Sequence, residues 1–86
     1  MEKPKNQHQL TLWYLYNRTS FSLKDLINDS MFFKFQTRLS ELEQKFGEIA
    51  KRERRKFVNR FNQTSSYNMY SAIDKERILE IYKKIS

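Results

Sequence analysis

The densest group of charged side chains in this 86-residue sequence lies between residues 51 and 60. This run holds six Lys or Arg residues and one Glu, and it carries +5 of the net charge of +7. Such a run suits a polyanion, because each neutralised phosphate releases condensed counterions. An acidic protein, an anionic membrane or plain solvation of a basic face are the alternatives. The residues predicted to contact phosphates are Lys51, Arg52, Arg54, Arg55, Lys56 and Arg60.

A second group of polar side chains lies on segment 31–46, where helical spacing gathers them on one flank. Arg38 is the strongest candidate for a base contact, because a guanidinium bonds guanine bidentately. Lys34 and Arg38 are like charges four residues apart, which favours a bound partner over an ordinary solvated face. The candidates for base contact are Lys34, Thr37, Arg38 and Glu41, and Lys45 is assigned to the DNA backbone.

The composition excludes several classes of function. The chain has no cysteine, which excludes disulfide scaffolds, cysteine-bound zinc and thiol catalysis. The single histidine, His8, is expected to lie near a frayed terminus, which argues against a His-based triad, and one imidazole cannot form a multi-histidine metal site. No apolar run approaches the ~18 residues of a membrane span, and no signal peptide is visible. We therefore expect no catalytic residue, metal or cofactor, and a cytoplasmic protein.

The elements that must carry these groups follow from the hydrophobic pattern. Residues 1–7 are predicted to be a flexible lead-in, and residues 8–18 a short, mostly buried helix. Ser22 is predicted to be the N-cap of a second helix, and Asp25 is predicted to complete a capping box. Asp29 or Ser30 is expected to cap a third helix over residues 31–46, which ends at Gly47. Its buried stripe is Phe35, Leu39, Leu42 and Phe46.

Beyond Gly47 the period approaches two, which indicates a β-hairpin. The first strand carries the cations, residues 62–66 form the turn, and the second strand begins at Tyr67. Residues 73–85 are predicted to form a last helix. Its apolar stripe either packs on the first helix or forms the interface of a homodimer, and it consists of Ile78, Ile81, Tyr82 and Ile85. The predicted core comprises Trp13, Phe32, Phe33, Phe35, Leu39, Leu42, Phe46, Phe57, Phe61 and Tyr70.

This order predicts a mainly α fold with a β-hairpin, namely a winged helix-turn-helix with three helices, a two-stranded wing and an extra C-terminal helix. The winged domain would span residues 8–72, and residues 73–86 would form the last helix. A helix about 10–12 Å across fits a major groove about 12 Å wide. The hairpin beside it could then rest its cations on neighbouring phosphates.

A three-part motif within residues 20–72 resembles a family of small helix-turn-helix proteins encoded by bacteriophages and related mobile elements. The motif is Thr-Arg-Leu-Ser-Glu-Leu at residues 37–42, then Gly47, then Phe-Val-Asn-Arg-Phe-Asn-Gln-Thr at residues 57–64 with Tyr67 and Tyr70. The resemblance implies contacts by Thr37, Arg38 and Ser40 in the helix and by Asn59 and Arg60 in the wing. It also implies a location in the cytoplasm of a bacterial host, in association with the nucleoid. Three features depart from the family: Asn62 replaces a favoured Gly, Gly47 stands one residue later, and the last helix is additional.

The expected function is sequence-preferring binding of double-stranded DNA by a small phage or mobile-element transcriptional regulator. An accessory role in excision or replication stays open. The alternative from another class is a protein-interaction adaptor, such as an inhibitor that docks its basic face on an acidic surface of a host enzyme.

Overall fold

The chain forms both helices and strands, and a computed structural model describes them over residues 3–58 and 60–85. These residues form a mixed α/β fold of four helices and one three-stranded antiparallel sheet. The elements are α1 (Gln7–Asn17), β1 (Phe21–Ser22), α2 (Leu23–Ser30), α3 (Phe35–Phe46), β2 (Ala50–Val58), β3 (Thr64–Ala72) and α4 (Lys75–Ile85).

The sheet has the strand order β1-β3-β2. Strands β2 and β3 pair over nine residues each, from Ala50 opposite Ala72 to Val58 opposite Thr64. Strand β1 adds only two residues, with Phe21 opposite Tyr70. The hairpin is therefore tied to the helices at one end, and the chain reaches 47 Å along its longest axis.

The predicted start of the third helix at residue 31 is wrong. Met31 adopts a left-handed conformation (φ 54°) and donates its N–H to the Ile27 carbonyl, which closes α2 and leaves residues 31–34 as a connection. Neither predicted residue caps α3. Asp29 forms an ion pair with Arg18. The Ser30 hydroxyl donates to the Leu26 carbonyl and accepts a hydrogen bond from the Tyr14 hydroxyl. Lys34 occupies the N-cap position without a side-chain hydrogen bond to the helix.

Other local signals are confirmed. Ser22 and Asp25 form the reciprocal capping box at the start of α2. Gly47 ends α3 with φ 87°, a conformation that L side chains rarely adopt. Asn62 takes φ 59° in the hairpin loop, a left-handed conformation in which asparagine is several-fold enriched among residues other than glycine.

The core is an aromatic cluster between α3 and the sheet. Phe35 contacts Phe21, Phe32 and Tyr70 with ring centroids 5.1–6.0 Å apart, and all four side chains are buried. Leu39 and Leu42 continue this buried stripe, while Trp13 and Phe46 pack partly buried against it.

Three aromatic residues assigned to the core are exposed instead: Phe33, Phe57 and Phe61. Phe32 and Phe33 are adjacent in the connection before α3, and only Phe32 turns inward. Phe57 and Phe61 lie on the part of the hairpin that extends beyond the helices. The aromatic residue type alone does not indicate that these side chains lie outside the core.

The hairpin turn also lies earlier than predicted. Strand β2 begins at Ala50 and ends at Val58, and β3 begins at Thr64, so residues 64–66 of the predicted turn belong to β3. The predicted first strand, which carries the cationic run, overlaps most of β2 but extends past its end at Val58. The alternation of apolar and polar residues that is typical of a strand is absent from most of β2, because its five cations occupy both faces.

Helix α4 packs on α1, and its apolar stripe faces the core of the chain. Ile78, Ile81 and Tyr82 are buried in the core, and Ile85 packs partly buried against it. The stripe is therefore covered by the chain's own residues.

Candidate nucleic-acid interface

Strand alternation divides the cations of β2 between two faces of the hairpin. Arg52 lies opposite Tyr70, whose ring packs on Phe35 of α3 and whose hydroxyl accepts a hydrogen bond from Gln36 (3.1 Å). Side chains alternate along a strand, so Arg54 shares this face with Arg52. We call it the α3-side face; its β2 members are Ala50, Arg52, Arg54, Lys56 and Val58. The outer face carries Lys51, Glu53, Arg55 and Phe57.

Arg52 anchors the hairpin to α3. Its guanidinium donates to both carboxylate oxygens of Glu43, at 2.5 and 3.4 Å, and lies 5.9 Å from the centre of the Tyr70 ring. The backbone N–H of Ile49 donates to the same carboxylate at 3.1 Å. Arg52 thus fixes the position of the hairpin beside α3 while Glu43 neutralises its charge.

The pKa values of this pair shift as expected for a salt bridge. Partial burial alone would raise the pKa of Glu43, but the hydrogen bonds from Arg52 and the Ile49 N–H outweigh it, and the net pKa is lowered. The hydrogen bond to Glu43 raises the pKa of Arg52 despite its own partial burial. Both groups are therefore held in their charged forms.

Glu43→Gln is expected to lower the free energy of unfolding by about 1 kcal/mol at neutral pH. The folded-state pKa of Glu43 is depressed, so its ionised form stabilises the fold above the ordinary value of 4.5. That stabilisation is lost as pH falls through the lower folded-state pKa. Urea denaturation at several pH values should show the difference between the variant and the parent shrinking below pH 4.5.

The control for this prediction is Glu48→Gln, which removes an exposed carboxylate from the same corner between α3 and the hairpin. We expect it to change stability little at any pH. Equal, pH-independent losses in both variants would contradict the assignment of Glu43 as the anchor.

The other hairpin cations are less constrained. On the α3-side face, Arg54 donates to the Ser66 hydroxyl (3.3 Å). On the outer face, Arg55 forms an ion pair with Glu53 (3.5 Å). Within the described part of the chain, no carboxylate lies within 4 Å of four exposed cations, namely Lys51, Arg54, Lys56 and Arg60.

The exposed surface of α3 has three parts. Its outermost row, opposite the buried stripe, consists of Thr37, Ser40 and Gln44, all exposed. Gln36 and Glu43 lie on the flank that meets the hairpin. Arg38, Glu41 and Lys45 lie on the flank toward α1, and Lys45 is exposed with its ammonium 5.5 Å from the centre of the Phe46 ring.

Arg38 is held by neighbouring acceptors rather than projecting into solvent. Its guanidinium donates to Glu41 (2.7 Å) and to the Gln7 side chain at the start of α1 (2.8 Å). His8 Nε2 lies 3.3 Å from the same Glu41 oxygen. The hydrogen bond from Arg38 is the main cause of a lowered pKa at Glu41. A base contact by Arg38 therefore requires it to exchange Glu41 for the base.

The structure brings only some of the candidate residues together. Ser40 lies at the corner between α3 and the hairpin together with Arg52, and Arg54 and Lys56 follow on the same face of β2. Thr37 lies one helical turn before Ser40 on the exposed row of α3. Lys34 is exposed but precedes α3, so it lies at the end of the helix instead of on its flank. Asn59 lies outside the described residues.

The polar residues through which α3 contacts the hairpin, Gln36 and Glu43, are not among those predicted from the sequence. They stand seven residues apart and border the buried stripe on one flank, which is the signal that could have identified them. Their partners, Tyr70 and Arg52, become evident only when the strand register is known.

Comparison of the chain with models of protein families, with curated proteins and with solved structures finds no match. No three His, Cys, Asp or Glu side chains within residues 3–58 and 60–85 cluster in a way that could hold a metal ion. None of the helices in those ranges is long and apolar enough to cross a membrane. The geometry of α3 and the hairpin is therefore the basis for assigning a function.

Proposed function

We propose that the chain is a winged helix-turn-helix protein that binds double-stranded DNA, with α3 in the major groove and the hairpin on the adjacent backbone. The observation that carries this proposal is the alternation of β2. It directs Arg54 and Lys56 to the sheet face that continues the exposed surface of α3. A duplex lying against α3 would bring its phosphates to these cations.

The helical part supports the proposal by its connection and its polarity. Helix-turn-helix units join two helices by a turn of 3–4 residues, and the connection between α2 and α3 comprises residues 31–34. The second helix of the unit reads DNA from its exposed face. Here that face offers Thr37, Ser40 and Gln44, hydroxyl and amide groups able to bond base edges or phosphates.

The hairpin supports it by its charge distribution. All charged residues of the two strands belong to β2, whereas β3 is uncharged. The serine and asparagine side chains of β3 opposite the cations, Ser66 and Asn68, are exposed donors that suit phosphate oxygens. This is the arrangement expected of a wing that contacts the backbone. Small size and one such module fit the role that we assign, a transcriptional regulator of a phage or mobile element.

Glu41→Gln is expected to tighten binding to duplex DNA by about two- to fivefold, because it releases Arg38 from an exposed ion pair. The measurement is the dissociation constant from fluorescence anisotropy. Glu76→Gln makes the same charge change on α4, and it should tighten binding less. Equal effects of the two substitutions would show that net charge alone, and not Arg38, is responsible.

The proposed function is tested by titrating random-sequence duplex DNA with the protein at several salt concentrations. We expect the logarithm of the affinity to fall by roughly 0.9 for each phosphate contacted per tenfold rise in salt. No binding at low salt would overturn the proposal and favour the acidic-protein partner.

A further inference from the structure

The tip of the hairpin carries exposed apolar side chains at the end of a cationic arm. Val58 ends β2 with 66% of its surface exposed, and Phe61 in the loop is 68% exposed. Large exposed apolar groups in a small protein mark surfaces that contact a partner when they cluster at one place. The pairing of the hairpin runs from Ala50, which is buried in the core, to Val58 opposite Thr64. Val58 and Phe61 therefore lie at the end of the hairpin away from the core.

The position of Phe61 in the hairpin differs from that of the other exposed rings. Phe57 and Tyr67 pack on each other across the outer face, with ring centroids 5.7 Å apart, and such cross-strand pairs stabilise a hairpin. Phe61 lies beyond the last paired residues, Val58 and Thr64, so its ring belongs to the connecting loop and to neither strand. The guanidinium of Arg60 lies 5.1 Å from the centre of the Phe61 ring, so a cation accompanies the ring at the tip.

We propose that Phe61 is a wedge that enters a base step of the minor groove and kinks the duplex, with Arg60 beside it in the groove. This inference rests on the proposed function and adds DNA bending to it. Proteins that bind the minor groove insert apolar side chains between base pairs and bend the duplex by about 20–90°. Cations next to such a wedge are attracted by the potential of the groove.

The length of the arm matches this geometry. Arg52 is fixed to α3 by Glu43, and Val58 follows six residues later on the same strand. At about 3.4 Å per residue the strand spans roughly 20 Å from anchor to tip. A full turn of DNA measures about 34–36 Å, so the minor groove lies about 17 Å along the axis from a helix in the major groove. The tip reaches that groove while α3 occupies its neighbour.

The chemistry also predicts which step is kinked. Pyrimidine–purine steps such as TA and CA/TG unstack most easily. The preferred site would therefore carry such a step about half a turn from the bases that face α3. Sequence preference at this position would come from the deformability of the step, without a hydrogen bond to its bases.

The test uses a duplex of about 30 base pairs labelled at both ends for resonance energy transfer, with 2-aminopurine at a TA step. The full chain is expected to raise both the transfer efficiency and the 2-aminopurine fluorescence on binding. Phe61→Ala should bind, as measured by anisotropy, but lose most of both signals. Phe61→Leu, which retains an apolar wedge, should keep them in part.

Phe33→Ala is the matched control, because it removes a phenyl ring of similar exposure (65%) at the connection before α3. It should leave both signals unchanged. Binding by the full chain without bending, or bending that survives in Phe61→Ala, would overturn the wedge and leave the proposed function standing. Absence of binding would overturn both.

Discussion

Arg54→Gln combined with Lys56→Gln is expected to weaken binding to duplex DNA by roughly fiftyfold at about 0.1 M salt, and to reduce the salt dependence of log affinity by about 1.8. The reason is that both cations lie on the α3-side face, and each is expected to neutralise one phosphate. The loss would be largest at low salt, where counterion release contributes most.

The matched control changes the same strand by the same charge. Lys51→Gln combined with Arg55→Gln removes two cations from the outer face, where Arg55 is already paired with Glu53. We expect this variant to lose much less affinity and to keep most of the salt slope. Anisotropy titrations of both variants at several salt concentrations make the comparison. Equal losses would mean that the duplex does not distinguish the two faces, contrary to the proposed docking.

Phe35→Ala is expected to lower the free energy of unfolding by about 3–5 kcal/mol. Phe35 is fully buried at the start of α3, and its ring packs on Phe21, Phe32 and Tyr70. Its removal leaves a cavity where α3 meets both β1 and β3. Since small domains are stable by only about 5–15 kcal/mol, a large part of the stability would be lost.

Urea denaturation followed by Trp13 fluorescence measures this loss. The control is Phe33→Ala, because Phe33 is only two residues away but exposed, and surface substitutions typically change stability by less than about 0.5 kcal/mol. A comparable loss in both variants would contradict the assignment of Phe35 as the residue that joins α3 to the sheet.

The helical part of the fold could be predicted from the sequence because its signals are local. The stripe of Phe35, Leu39 and Leu42 requires only helical spacing, and Gly47 and Ser22 mark the ends of helices by their own chemistry. The start of α3 was predicted four residues too early, because Met31 adopts a left-handed conformation that its residue type does not indicate.

The sheet was harder to predict because its order arises from tertiary pairing. A two-residue strand such as β1 has no period of its own, and it exists because Phe21 pairs with Tyr70. In β2 the charges occupy both faces, so the start at Ala50 was hidden and the turn was assigned three residues too late. A one-residue error in a strand reverses the face of every side chain.

The candidate site was accordingly predicted as a set of residue types but not as a surface. The cationic run identified the arm, yet only the register with β3 separates Arg54 and Lys56 from Lys51 and Arg55. The same holds for Arg52, whose ion pair with Glu43 joins residues nine positions apart.

The central claim is that one surface, formed by the outer row of α3 and the α3-side face of the hairpin, meets duplex DNA. The most direct measurement is a two-dimensional NMR titration of the isotope-labelled chain with a short duplex. The account predicts that the amide shifts change together at Thr37, Ser40 and Gln44 and along Arg54 to Lys56. Changes confined to α1 and α4, with α3 and the hairpin unaffected, would contradict it.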